Sequence, residues 1–417
     1  MQNRMRRLLL VAVAVCALGV GAQPAHAASG VQFGIQDDAW LEFGPGRLRD
    51  RVAQLDRLGL DLVRVTLRWD RIEPAPGEHR WGRADRLLRA LDDRGLAPVV
   101  TIWGTPGWAN GDAGPNVAPA RAEDLFRFAR ALASRYRFVR HWTLWNEPNK
   151  ATWLKPASPE TYVARILDPG YRGIKSVLPR AKVAGGVTAP RGGAGGVSPV
   201  DFIRRMARAG ARLDAYAHHP YPVYPGDTPF RGGCACKTIT MATLERLIRL
   251  VGDAFPRARI WLTEYGYQTN PPDAFGVSYA EQARFVGESA RRVYAAPKVD
   301  MLIHYLYRDE PDLGRWQSGL ETIQGLVKPA RAAMMLPLAQ VSRRGPRTTI
   351  WGQVRPGEGR QRYVLQRLVG GAWVGVGGVQ VTNARGYFRR SLAAPRGARL
   401  RVWSPSARAA STVLVVR

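Results

Sequence analysis

The chain has 417 residues, 46% of them apolar, enough for one large domain with a buried core and one small module. Its formal net charge is +29, yet only 7 of its 62 basic residues are lysines. An arginine bias spread over solvated faces argues against a dedicated nucleic-acid binder. It leaves acidic polymers or anionic surfaces as the partners that such a charge could serve.

The first residues carry the parts of an export signal: Arg4, Arg6 and Arg7, an apolar run over 8–20, and a small-x-small site at Ala25-His26-Ala27. Residues 1–27 are expected to be a cleaved signal peptide and the mature protein to be secreted, a non-cleaved anchor being the alternative. The run is shorter than the roughly 18–20 residues of a membrane-spanning helix, and no later segment reaches that length. Cys16 lies inside the signal. Cys234 and Cys236 form a local loop clip or stay as two inert thiols, since no neighbouring His or Cys completes a zinc site.

From residue 30 to 338, eight strand-like runs alternate with amphipathic helical patterns. The runs begin near Val31, Asp61, Ala97, Arg140, Lys182, Leu213, Arg259 and Asp300. Leu48, Val52, Leu55 and Leu58 recur at helical spacing and end at Gly59; Leu87, Leu88 and Leu91 do the same before Gly95. Ser158-Pro159 and Ser198-Pro199 place a capping hydroxyl before a first-turn proline, and Ser278 with Glu281 reads as a capping box. Eight strand–helix units predict an α/β chain folded as a (β/α)8 TIM barrel. An open doubly wound sheet is disfavoured, because no glycine-rich phosphate loop follows the first strand.

After Leu338 the pattern changes. Arg343-Arg344-Gly345-Pro346 reads as a polar break, and 345–417 as a small all-β sandwich, Ig-like or fibronectin-like. Its strands are predicted at 348–354, 362–368, 373–376, 387–392, 400–403 and 413–416. Residues 343–417 hold 15 arginines against a single acid, Glu358.

In such a barrel the functional residues sit at the C-terminal ends of the strands. The second strand carries Arg64, with Trp69 beyond it. The third ends at Trp103 and runs on to Trp108. The fourth ends Trp145-Asn146-Glu147, the sixth His218-His219-Pro220-Tyr221 and the seventh Thr263-Glu264-Tyr265; the eighth contains His304, Tyr305 and Tyr307. The two glutamates close apolar runs and must leave the core, because a carboxylate ionised inside it is too costly. Two carboxylates among aromatic rings suit sugar chemistry: rings stack on the C–H faces of sugars, and carboxylates supply the proton and the nucleophile. Arg64, in an apolar strand, either pairs with a carboxylate inside the barrel, Glu264 first, or snorkels outward between helices.

These motifs resemble the clan A glycoside hydrolases, families 5 and 39 above all. The matching residues are Val63-Arg64-Val65, Asn146-Glu147-Pro148, His219-Pro220-Tyr221, Thr263-Glu264-Tyr265-Gly266 and the loop from Trp69 to Gly77. The resemblance implies a retaining, cellulase-like O-glycosyl hydrolase acting on a β-linked oligo- or polysaccharide, with no metal and no other cofactor. Glu147 would be the general acid/base and Glu264 the nucleophile. Arg64, Trp103, Asn146, His219, Tyr221 and Tyr305 would bind substrate, Asn146 through the sugar 2-hydroxyl. Glu147 in its aromatic wall is expected to keep a proton near neutrality, and Glu264 beside Arg64 to stay ionised. Strand eight departs from the family pattern by lacking a tryptophan, a place left to Tyr305, Tyr307 or Trp316. The alternatives are a carbohydrate- or wall-binding protein without turnover, and a transglycosylase using the same residues. The expected partners are the carbohydrate and, through the basic C-terminal module, an anionic wall or surface polymer. Nucleic acid is not among them, and the chain is expected to act as a monomer.

Overall fold

The computed structural model describes residues 30–417 apart from Pro225, Ala235 and 356–358. The signal assigned to 1–27 and the acid Glu358 lie outside the described residues. Eight parallel strands close into a barrel in chain order: β1 (Gln32–Gln36), β2 (Leu62–Arg68), β3 (Ala97–Trp103), β4 (His141–Leu144), β5 (Lys182–Thr188), β6 (Ala215–His218), β7 (Arg259–Tyr265) and β8 (Val299–Tyr305). β8 returns to β1 with Ile35 beside His304. Each apolar run read from the sequence is one of these strands.

The two-residue period of a strand sorts the side chains. On β2, Val63, Val65 and Leu67 face the helices, whereas Leu62 joins Val99, Trp261, Met301 and Ile303 in filling the barrel floor. Arg64, two residues on from Leu62, therefore lies inside the barrel. The helices are held where the sequence signed them: Ser198 Oγ accepts from Asp201 N–H, and Ser278 and Glu281 complete their capping box.

The C-terminal part is antiparallel: β9 (Leu338–Arg344), β10 (Arg347–Gln353), β11 (Arg362–Val369), β12 (Ala372–Val381), β13 (Tyr387–Ala393), β14 (Arg399–Ser404), β15 (Ala409–Ala410) and β16 (Leu414–Val415). One sheet runs β13-β10-β9 and the other β12-β11-β14-β15, with β16 on β14. Ile350, Tyr363, Leu365, Phe388, Leu400 and Val402 form the core of this part. The polar break is itself structured. Arg343 and Arg344 end β9 at an exposed edge, and Gly345 at φ 56° turns the chain into β10. β12 extends past 376 because Gly377 and Gly378 carry a bulge against β11, which breaks the apolar alternation without ending the strand.

The sheets are docked on the barrel. Trp351 and Tyr387 meet Tyr294 of the helix Tyr279–Ala295, with ring centroids 5.3 and 4.5 Å apart. Arg355 leaves its own sheet to lie 3.9 Å over the Phe33 ring of β1. A side chain at Gly287 would meet Leu338 O at 2.7 Å, so that glycine lets β9 approach the helix. Tyr387 Oη donates to Val31 O at 3.4 Å, just before β1. The docking surface thus touches the N-terminal ends of strands, away from the mouth where β4 and β7 end. Cys234 and Cys236 are joined as a local clip. Among the described residues no helix is long and apolar enough to cross a membrane.

Candidate active site

Two irregularities aim the glutamates. β4 stops at Leu144, and Trp145 and Glu147 adopt φ of 75° and 40°. Left-handed backbone at such residues costs on the order of 1–3 kcal/mol each and persists only where the surroundings dictate it. Here Trp145 N–H donates to Ile102 O at 2.8 Å and Glu147 N–H to Val187 O at 2.9 Å. The buried Asn149 adds a clamp, its amide exchanging bonds with the backbone of Ala189. On β7, Trp261 faces the interior, so strict alternation would send Glu264 out to the helices. A register break against β8 between Leu262 and Tyr265 turns Glu264 inward instead.

Arg64, fully buried, organises the floor of the site. Its Nη1 donates to Glu264 Oε1 and to Gln36 Oε1, both at 2.5 Å, its Nη2 to Asn146 Oδ1 at 2.9 Å and its Nε to Thr101 Oγ1 at 2.9 Å. The outward, snorkelling placement is thereby excluded. A planar fork that meets acceptors on every edge is what makes a buried guanidinium tolerable. Because Asn146 spends its oxygen on Arg64, its amide N–H groups are left for the cleft.

Tyr221 Oη donates to the other oxygen of Glu264 at 3.2 Å. His219 Nδ1 lies 3.1 Å from Glu147 Oε1 and 3.5 Å from Glu264 Oε2. Burial pushes the His219 pKa down to about 3, so it bridges the carboxylates as a neutral imidazole. Burial raises the Glu147 pKa, against the pull of Lys150, whose Nζ stands 3.7 Å from Oε2, and of Arg64. Glu147, His219 and Glu264 each offer one ligand atom within 4.8 Å of the others. Arg64 and Lys150 already supply positive charge at both carboxylates, so this donor set fits a proton-transfer pair better than a divalent cation.

The site opens into a cleft of about 620 Å3. Trp103, Asn146, Glu147, Tyr221, Glu264 and Tyr305 line it, while Arg64 and His219 lie beneath, touching the carboxylates where the sequence reading had them touching sugar. Of the residues offered for strand eight's missing tryptophan, Tyr305 and Trp316 both line the cleft, Trp316 with its ring 4.4 Å from that of Tyr221 and 5.8 Å from that of Tyr305. Tyr307 turns away, stacked on Trp40 at 4.0 Å and bonded to Glu321. His218, between Thr188 and Ile239 O, and His304, on Ser318 O, are satisfied structural residues. Trp69 and Trp108 both bond to Glu73 and brace their own loop. Thr101, at the end of the third strand, meets Arg64 as part of the site, and Gln36, Lys150 and Trp153, which were missed, adjoin it as well. Gln36, a polar residue closing an apolar run, carried a readable signal; Lys150 and Trp153, in the turn after Glu147, carried none.

No model of a known protein family matches the sequence, and no curated protein matches it. The fold does have solved counterparts. A family 39 glycoside hydrolase from the gut symbiont Bacteroides cellulosilyticus WH2 superposes with a TM-score of 0.63 at 19% identity, over 88% of this chain and 81% of that one. A glucosidase from Croceicoccus marinus gives 0.58 at 13% identity, over 90% and 95%. GH5_18 from Streptomyces cattleya, solved in complex with GlcNAc, gives 0.55 at 20% identity, over 74% and 79%. At these identities the likeness is one of fold: a closed (β/α)8 barrel followed by antiparallel sheets in this chain.

Proposed function

We propose that the protein is a secreted, retaining glycoside hydrolase that cleaves a β-linked oligo- or polysaccharide by double displacement. One observation carries the reading: carboxylate oxygens of Glu147, just beyond β4, and Glu264, on β7, come within 4.8 Å of each other in unlike environments. Retaining enzymes hold their carboxyl groups roughly 5–5.5 Å apart, whereas inverting ones leave about 6.5–9.5 Å for a water molecule. Glu264, clamped by Arg64 and Tyr221, attacks the anomeric carbon. As the glycosidic C–O bond breaks, its electron pair goes to the leaving oxygen, which takes the proton held by Glu147. Glu147, now a carboxylate, takes a proton from water, and that oxygen displaces Glu264 to restore the enzyme. The amide of Asn146, its oxygen held by Arg64, donates to a hydroxyl next to the reacting carbon, a contact that strengthens as oxocarbenium character develops. Trp103, Tyr305 and Trp316 supply the faces on which a sugar ring rests. Export rests on the N-terminal segment alone.

A panel of aryl glycosides tests this reading. One member should be turned over, NMR should show the first-formed sugar with its anomeric configuration kept, and Glu264→Gln should abolish the reaction while the protein stays folded. First-formed product of inverted configuration, or turnover surviving in Glu264→Gln, would refute it.

A further inference from the structure

A second cavity, about 700 Å3, continues the catalytic cleft along the β2 side; Asp38, Glu42, Thr66, Arg68, Arg71 and Arg83 line both. It lies between the helix Asp38–Phe43, the start of the helix Leu48–Asp56 and the helix Gly82–Asp92. Six arginines face two acids there. Three of the six are spent: Arg51 on the carbonyls of Leu41, Gly44 and Gly46, Arg68 on Asp70, and Arg83 on Glu42. Both acids are spent too, since Asp38 accepts from Thr66 and Gln36 and Glu42 takes Arg83. Arg71, Arg80 and Arg86 remain, exposed at the cavity and without an ion pair among the described residues. Phe43 also lines this cavity and is 75% exposed; the Arg83 guanidinium lies 5.5 Å from its ring centroid over one face, and the ring remains largely open to the groove. Like charges gathered in a cleft concentrate their field outward, and that field selects an anion. An aromatic face beside them selects a ring with a C–H surface.

We propose that this groove holds the non-reacting stretch of an anionic glycan, whose carboxylate or sulfate groups bind Arg71, Arg80 and Arg86 while a sugar ring stacks on Phe43. The inference rests on the glycosidase reading of the adjoining carboxylates and adds the substrate class: a charged polysaccharide, bound along more than one sugar unit. A neutral glycan would leave three cations in the groove without a partner.

Calorimetric titration of the full chain as Glu264→Gln, which separates binding from turnover, provides the test. The ligands are a uronate-containing, a sulfated and a neutral β-linked oligosaccharide of equal length. One of the charged chains should bind at least about tenfold tighter than the neutral one, as charge-assisted bonds allow. Adding Arg71→Ala, Arg80→Ala and Arg86→Ala should erase that preference. Adding Arg130→Ala, Arg249→Ala and Arg257→Ala, which removes the same charge elsewhere, should keep it. Equal affinity for neutral and charged chains, a preference that survives the groove substitutions, or one lost equally in the control would overturn the proposal. Anionic binding in a protein that hydrolyses no glycoside would uphold the groove and sink the catalytic reading, so the two fail separately.

Discussion

At the scale of single residues, the roles proposed for Glu147 and Glu264 rest on what surrounds each. Glu264 meets a guanidinium and a phenol; Glu147 meets a neutral imidazole and the Lys150 ammonium at 3.7 Å, and burial raises its pKa. A general acid with a raised pKa works while protonated, so activity should fall as pH rises through that pKa. Glu147→Ala should cut kcat by about 10²–10⁴-fold on substrates with poor leaving groups. On activated aryl glycosides the loss should be far smaller, the alkaline limb of the pH–rate profile should disappear, and added azide should restore turnover. An alkaline limb persisting in Glu147→Ala would assign it to another group. The glutamates, Arg64 and Asn146 were legible because each closes or interrupts an apolar strand. The neutral bridge made by His219 was not, since which way an imidazole faces beneath a site depends on packing that no local pattern encodes.

At the scale of elements, the loop after β8 shows how a site residue is held from a distance. Lys328, fully buried, donates to Asp309 Oδ1 at 2.8 Å, to Thr269 Oγ1 at 2.8 Å and to Gln317 O at 3.1 Å, next to Trp316. Burial works against both charges, lowering the Lys328 pKa and raising that of Asp309, while each partner offsets the penalty of the other. Lys328→Met would leave Asp309 buried and unpaired, a loss of about 3–5 kcal/mol. Denaturant unfolding should show that loss, and Lys328→Met with Asp309→Leu should recover part of it; equal stability of the single variant and the wild type would contradict the account. Strand existence was the most readable element, because eight apolar runs separated by capped helices admit few other folds. Edges were the least readable. β9 ends in two arginines at an exposed hairpin, and β12 crosses three glycines, so neither carries a continuous apolar alternation in its sequence.

At the scale of the whole molecule, the C-terminal sheets are a wall of the protein as much as a module. Trp351 is 3% exposed against Tyr294 and Tyr387, and Arg355 is buried over Phe33. Trp351→Ala should therefore cost about 3–5 kcal/mol and lower the melting of barrel and sheets together. Calorimetry of that variant and the wild type should show one transition each; a barrel transition left in place while the sheets melt early would show the two parts to be independent. The docking also has a directional consequence. Because the sheets sit against the N-terminal ends of strands, a basic C-terminal face held on an anionic polymer would leave the cleft free on the other side.

In the proposed double displacement Glu264 becomes covalently bound to a sugar. Incubation with 2-deoxy-2-fluoro glycosides bearing a good leaving group, followed by intact-mass and peptide mass spectrometry, measures this directly. One fluorosugar should add once per chain, on the peptide containing Glu264 and not in Glu264→Gln. Turnover of the parent glycoside with a label on another residue, or with none, would contradict the account.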